Sequence, residues 1–504
     1  MRFTNGRCLL ALALVSALSA PAWALDGSVP GIHGDLSRTL LGDGTGVVIG
    51  FIDSGVDDTH PALAGRMDAE KNWVTSEGGN TGDDVAGHGT WVASAALSND
   101  PTYTGMAPGA HYVNSRVLSN TNGFSSDAQV RNGVGYAIDQ GVDIMNLSLT
   151  YNAATNTGNT QLELMIDWAA YARGISTSLA TGNISGSNPS TSSVRGPSSA
   201  YNGVTVGRTT ADFSRVHSDS AIAFTGDGRM KPDVVAPGTA LTLANDDWEG
   251  GAPDWDTSLN GTSFAAPHVA GLMAQQIEAG TNLGLSTNPL VVKSTIMNSA
   301  DKVLDKSGNA WEPANLTLPG GVFTTSQPLD THSGAGQIDG LALATQYLAG
   351  EQGPTSANPI GWDLHEVNNS QSIDYTLHRQ LEAGSMLTAT LSWFRHVNRT
   401  DDGDGLVNAA DTFTRSPLNN LNLQILRNGV LLAQSISAVD NVEHLNFLVD
   451  EQAKYTLRVI GQSVAGGAEQ FALAWWGTAI VPEPASLTLA LLACVGLLAR
   501  RRRK

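Results

Sequence analysis

Four polar residues, each beside glycine or another small residue, carry the chemical potential of this 504-residue chain. They are Asp53 at the end of VVIGFIDSG, His88 in VAGHGTWVASAAL, Asn183 in ISTSLATGN and Ser263 in NGTSFAAPHVAG. A hydroxyl becomes a nucleophile when a base takes its proton, and an imidazole serves as that base when a third group fixes its tautomer and stabilises the imidazolium. Ser263, His88 and Asp53 can fill those three roles. The charged oxygen of a tetrahedral intermediate needs preorganised donors, for which the Asn183 amide and the Ser263 backbone N–H are candidates. Singly, each residue has a plainer reading. An Asp at a strand end or a Ser at a helix start usually caps, an Asn after Gly usually makes a turn, and a lone His before a helix is usually structural. Their combination and order argue for chemistry.

Such groups must be held where strand carboxyl ends meet loops and helix N-termini. The segments GVVIGFIDSG, HYVNSRVL, VDIMNLSL, ISTSLATG and GVTVGRT are short, apolar and β-branched, and they alternate with helix-like SSDAQVRNGVGYAIDQG and TQLELMIDWAAYARG. That alternation predicts βαβ units and a parallel sheet buried on both faces. Asp53 ends one such strand. His88 lies between Gly87 and Gly89 at the start of a helix-like run, and Ser263 opens another, whose N-terminal amides favour negative charge.

The pattern changes near LAGEQGPTSANPIGW (348–362), which predicts a domain boundary. Beyond it, SIDYTLHR, SMLTATLSWF, EHLNFLVD, AKYTLRVI and QFALAWWG alternate in polarity, and RNGVLL places Asn428-Gly429 for a type I′ hairpin. An antiparallel β-sandwich is expected there.

The formal net charge is −19; setting aside +2 in residues 1–24 and +4 in 481–504 leaves −25 between them. So negative a body repels phosphate backbones, which argues against a nucleic-acid partner. The first 24 residues have a basic start, an apolar run and an Ala-Trp-Ala ending, the pattern of a cleaved secretory signal. Residues 481–504 combine Val481-Pro482-Glu483-Pro484, an apolar stretch from Ala485 to Ala499 and a block of cations. This ending resembles a PEP-CTERM sorting signal, and the resemblance implies a Gram-negative envelope and cleavage by a membrane sorting protease. The apolar stretch is a short transmembrane segment at most. The two cysteines, Cys8 and Cys494, fall within these ends, so the body between them has no disulfide, no Cys-bound zinc and no thiol nucleophile.

The motifs VVIGFIDSGVDDTHPAL, DVAGHGTWVASAA, ATGN and NGTSFAAPHVAG, with GMAPGA, VDIMNLSL and GRMKPDVVAPG between them, resemble the subtilisin-type serine peptidases, the subtilases. The likeness runs from about Gly42 to Leu348. It implies a seven-stranded parallel sheet flanked by helices, a secreted endopeptidase acting on proteins, a triad of Asp53, His88 and Ser263, and Asn183 in the oxyanion hole. It also implies a substrate cleft lined by Leu147, Ser148, Leu149, Thr150, Ala180, Thr181 and Gly182, with Thr150 on its wall. No metal takes part in such chemistry. Trp91 stands where the family often has His. Thr150 replaces the family's usual glycine and is expected to narrow the cleft against large side chains. Residues 25–52 are too few for the folding propeptide of many secreted subtilases, so folding without one is expected.

The chain therefore divides into a signal peptide (1–24), a subtilisin-like α/β domain (25–350), a β-sandwich (355–480) and a sorting signal (481–504). Within the sandwich, TDDGDGLVNAAD places Asp402, Asp404, Asn408 and Asp411 at positions of a calcium loop, with Gly405 at its turn. Thr400 at the first position departs from that pattern, and an ordinary acidic turn fits equally. Two other function classes compete with the peptidase. A decayed surface or matrix binding protein would be expected to lose its nucleophile or base, and all four residues are present. An esterase would carry G-x-S-x-G, whereas Ser263 sits in GTSFA.

Overall fold

The computed structural model describes residues 27–477, apart from 78–80, 122, 124–125, 152–155, 185–193 and 252. Residues 1–24 and 481–504, expected as a signal peptide and a sorting signal, lie outside the described residues. Among the described residues no helix is long and apolar enough to cross a membrane.

Seven parallel strands form the central sheet: β1 (Val48–Asp53), β2 (Met67–Asn72), β3 (His111–Arg116), β4 (Ile144–Leu147), β5 (Ser176–Ala180), β6 (Val204–Thr209) and β7 (Val234–Pro237), in the order β2-β3-β1-β4-β5-β6-β7. The uninterrupted apolar runs are buried on both faces, because alternate residues feed two cores: Ile49 and Phe51 enter one, Ile52 the other. The first core also receives α2 (His88–Leu97) and α5 (Thr262–Leu283); the second receives α3 (Asp127–Asp139) and α4 (Gln161–Arg173). Helix α1 (Gly34–Leu41) packs against α5. The α4 start is fixed by a capping box, in which Thr160 accepts from the Glu163 N–H and the Glu163 carboxylate accepts from the Thr160 N–H. The sequence pattern did not single out β2, a polar MDAEKN at the sheet edge, because an edge strand with half-exposed side chains has no apolar run to show.

The sandwich has two sheets. One is built from β10 (Ile360–Val367), β12 (Met386–Trp393), β15 (Val442–Leu448) and β17 (Glu469–Gly477), in the order β10-β17-β12-β15. The other contains β11 (Ser372–Thr376), β13 (Asn420–Arg427), β14 (Val430–Ser435) and β16 (Tyr455–Ser463). Asn428 (φ 51°) and Gly429 (φ 80°) make the hairpin turn from β13 to β14, as a type I′ turn requires.

Two further strands join this second sheet from before residue 350. The hairpin β8 (Asn315–Thr317) and β9 (Phe323–Gln327) extends it, with Phe323, Thr324 and Thr325 of β9 pairing in parallel with Ala433, Gln434 and Ser435 of β14. The structural boundary thus interleaves rather than falling at one linker. Helix α6 (Pro289–Asn298) lies on the four-stranded sheet, where the Ser294 and Ser392 hydroxyls hydrogen-bond at 2.7 Å. Trp362, Phe394, Val442 and Ala472 from the sandwich share the first of the two cores around the parallel sheet.

Candidate active site

Strand β1 delivers Asp53 to the carboxyl edge of the sheet, where its backbone carbonyl accepts from Val117 N (2.7 Å) and Leu118 N (3.0 Å). The carboxylate is buried, 1% exposed. Its Oδ1 accepts from Ser54 N at 2.8 Å and pairs with His88 Nδ1 at 2.6 Å. Because a carboxylate only accepts, Nδ1 carries the proton, and Nε2 keeps its lone pair for use as a base.

His88 is the first residue of α2, and two glycines allow it to approach β1 this closely. A Cβ on Gly89 would lie 1.9 Å from the Gly55 carbonyl, and one on Gly55, where φ is +113°, would lie 2.3 Å from Gly82 O. The loop before His88 is organised by Asp84, 7% exposed. Its Oδ1 accepts from Ser54 Oγ, Ala86 N and Gly87 N, and its Oδ2 from Thr90 N and Thr90 Oγ, all at 2.8–3.1 Å. Burial alone would lower the His88 pKa, but the Asp53 charge, its hydrogen bond and the Asp84 charge outweigh burial and hold it above the ordinary value of 6.5.

Ser263 stands in the first turn of α5, with Thr262 before it and Gly261 at the cap. Pro267 lies four residues on and lacks the N–H that would bond Ser263 O; the Ser148 hydroxyl supplies that bond instead at 2.6 Å. In return Ser263 Oγ donates to Ser148 O at 3.2 Å, so its proton must leave that carbonyl to reach His88 Nε2. The neighbouring Phe264 ring lies 5.9 Å from the His88 ring. Trp91 packs edge-on to Phe264 at 6.1 Å and donates to Asp256 at 2.8 Å, so the residue that departs from the family pattern backs the imidazole through Phe264.

Asn183 follows β5. Its Oδ1 accepts from Thr262 N at 3.0 Å, which orients the amide and leaves Nδ2 as a donor beside the serine-bearing turn. Asn183 is exposed. Two stretches of the expected cleft residues face one another here: a Cβ on Gly182 would lie 3.3 Å from Thr150 Oγ. Leu147, Leu149, Ala180 and Thr181 are buried behind the surface, Ser148 contacts Ser263, and Thr150 is half-buried. His268, also in α5, is no competing base. Burial draws its pKa down to about 4, and its ring is held by Ser28 Oγ and Phe264 O.

The four residues proposed as calcium ligands do not converge. Asp402 and Asp411 come together with Asp401, their carboxylates within 4.8 Å, whereas Asp404 accepts from the Asn408 amide at 2.9 Å. Arg399 already supplies a cation, donating to Asp411 at 2.7 Å. Two of the four expected ligands, Asp402 and Asp411, thus share a carboxylate cluster of the kind that could hold an ion, with Asp401 as its third member. The loop also grips the α/β domain: Val407 N donates to Asp139, Ala409 N to Asn132 and Phe413 N to Gln161, each at 2.9 Å, and a Cβ on Gly135 of α3 would strike Val407 O at 1.8 Å.

Sequence reasoning did not assign Asp84 a role, although its place four residues before His88 in DVAGH is a loop-organising position. Residues 44–328 match the Subtilase family. The chain is 33% identical over 270 residues to subtilisin E of Bacillus subtilis (strain 168), covering 53% of this chain and 63% of that protein. It is 31% identical over 277 residues to subtilisin DY of Bacillus licheniformis, covering 54% and 92%. Against thermitase of Thermoactinomyces vulgaris the figures are 30% over 279 residues, 54% and 86%. Among solved structures, that of a cold adapted subtilisin-like serine proteinase is 29% identical, covers 53% of this chain and 88% of its own, and superposes with a TM-score of 0.43.

Proposed function

Because this chain belongs to the subtilase family, we propose that it is a serine endopeptidase hydrolysing peptide bonds in proteins through an acyl-enzyme. His88 Nε2 takes the Ser263 proton as Oγ attacks the peptide carbonyl carbon. The oxyanion is held by Asn183 Nδ2 and the Ser263 N–H, aided by the α5 N-terminus. The imidazolium, paired with Asp53, then protonates the departing amine, and a water activated by the same His88 releases the acyl group. The observation that carries this reading is the buried 2.6 Å Asp53–His88 pair, beside a serine whose helix start is tied to Asn183.

Thr150 opposite Gly182 supports a preference for modest side chains before the scissile bond. The terminal segments support export by a signal peptide and passage to a Gram-negative envelope or the medium through a sorting protease. The acidic body supports protein rather than nucleic-acid substrates. The test is fluorophosphonate labelling and casein digestion by the chain and by Ser263→Ala. Both are expected in the first and neither in the second. Labelling without digestion by a folded chain would favour an esterase or a narrow-specificity peptidase, and absence of both would favour a binding protein.

A further inference from the structure

One sandwich arginine is buried among residues that tie to the stretches expected to line the cleft. Arg395, two residues beyond β12, is 2% exposed. Its backbone is clasped by Asn202, with Arg395 N donating to Asn202 Oδ1 at 2.8 Å and Asn202 Nδ2 donating to Arg395 O at 2.9 Å. Its guanidinium donates to Gly158 O at 2.5 Å and to Asn159 Oδ1, lies 3.5 Å from Asp167, and covers the Tyr201 ring at 4.4 Å.

These partners stand behind both cleft walls. Asp167 accepts from Tyr201 N (2.9 Å) and Asn202 N (2.8 Å), fixing the segment that begins at Gly196. Within that segment the Ser198 hydroxyl donates to Ala180 O on one wall, and Gly196 O accepts at 2.8 Å from Tyr151 N, next to Thr150 on the other. Gly158 and Asn159 lead directly to Thr160, whose hydroxyl meets Tyr151 Oη at 3.1 Å. A fork-shaped, always charged donor can hold several acceptors at fixed angles, which an ammonium cannot.

We infer that Arg395 of the sandwich is a positioning residue that sets the spacing of the cleft walls Thr150–Tyr151 and Ala180–Gly182. It touches no reacting atom. The inference rests on the peptidase reading and makes the second domain part of the specificity apparatus. A wall displaced by a fraction of an ångström misplaces the scissile carbonyl, for which losses up to about 100-fold per ångström are known.

The test uses the full chain with Arg395→Lys, Arg395→Met and Asn159→Ala. Readouts are kcat and KM on peptides differing only in the residue before the scissile bond, the rate with a small acetate ester that leaves the cleft empty, and Tm. Asn159 is exposed, so its variant keeps the fold while removing one guanidinium partner. For Arg395→Lys the ratio of kcat/KM between a Phe and an Ala peptide is expected to shift about 10-fold with ester hydrolysis retained, and for Asn159→Ala about 3-fold in the same direction. Addition of guanidinium ion to Arg395→Met is expected to recover part of the shift. Ratios within about twofold of the unsubstituted chain in folded Arg395→Lys and Asn159→Ala, or equal losses on peptides and ester, would overturn the inference. A folded, unsubstituted chain that cleaves no peptide would instead overturn the peptidase reading on which it rests.

Discussion

Two loops of this molecule are organised by the same device, a buried carboxylate gathering N–H donors, and they serve different ends. Before His88, Asp84 collects Ala86, Gly87 and Thr90 amides and two hydroxyls. In the sandwich, Asp411 collects the amides of Asp402 (3.2 Å) and Asn408 (3.0 Å). The difference lies in compensation. Arg399 neutralises Asp411, whereas among the described residues no cation pairs with Asp84. Asp84 therefore projects its charge onto the imidazole and helps to raise its pKa, while Asp411 and Arg399 together form a neutral clasp on α3 and α4. A shared local motif becomes electrostatic tuning or mechanical docking according to its neighbours.

The largest effect is expected at the carboxylate that both tunes and orients the imidazole. Asp53→Asn keeps the shape but favours the wrong imidazole tautomer, and kcat is expected to fall about 10⁴-fold with little change in KM. Steady-state kinetics with a folded control by circular dichroism decides this. Next comes the compensated loop. Asp411→Ala leaves Arg399, 11% exposed, without its buried partner, and a loss of about 3 kcal/mol in stability is expected, read from urea unfolding, with an unchanged pH profile. A shifted profile would erase the distinction between the two loops.

Asp84→Asn sharpens the contrast at smaller scale. About 1–3 kcal/mol of stability should be lost from misdirected hydrogen bonds. The acid limb of kcat/KM should also move to lower pH, because one cause of the raised His88 pKa is removed. The sign is fixed: the base must be neutral, so activity in the parent chain falls as pH drops through a His88 pKa above 6.5. Stability runs the other way. The protonated Asp53–His88 pair stabilises fully below the unfolded histidine's pKa, and that contribution fades as pH rises through the raised folded value. The smallest effect belongs to Asp402→Asn, an exposed position where a change within about 0.5 kcal/mol is expected in the same unfolding measurement.

Much of this architecture was legible in the residues. The apolar β-branched runs specified buried strands because period and composition are local properties, and Asn428-Gly429 specified its turn because so few residue pairs accept positive φ at both positions. Strand β2 and the β8–β9 hairpin were not legible: the first is a polar edge, and the second finds its partner β14 more than a hundred residues later. The calcium-like spacing of residues 400–411 was legible but incomplete, since spacing could not show that Arg399 folds back onto Asp411 or that α3 and α4 receive the loop.

The order Asp53, His88, Asn183 and Ser263, the small residues that let them approach, and the change from parallel to antiparallel architecture could all be read along the chain. Those features are written in neighbouring side chains, where sterics and backbone propensity act over a few residues. The exchange of hydrogen bonds between Ser263 and Ser148, the uncompensated charge of Asp84 on His88 and the place of Arg395 behind the expected cleft residues arise from folding. Distance and burial set the strength of those interactions, and neither is a property of sequence spacing.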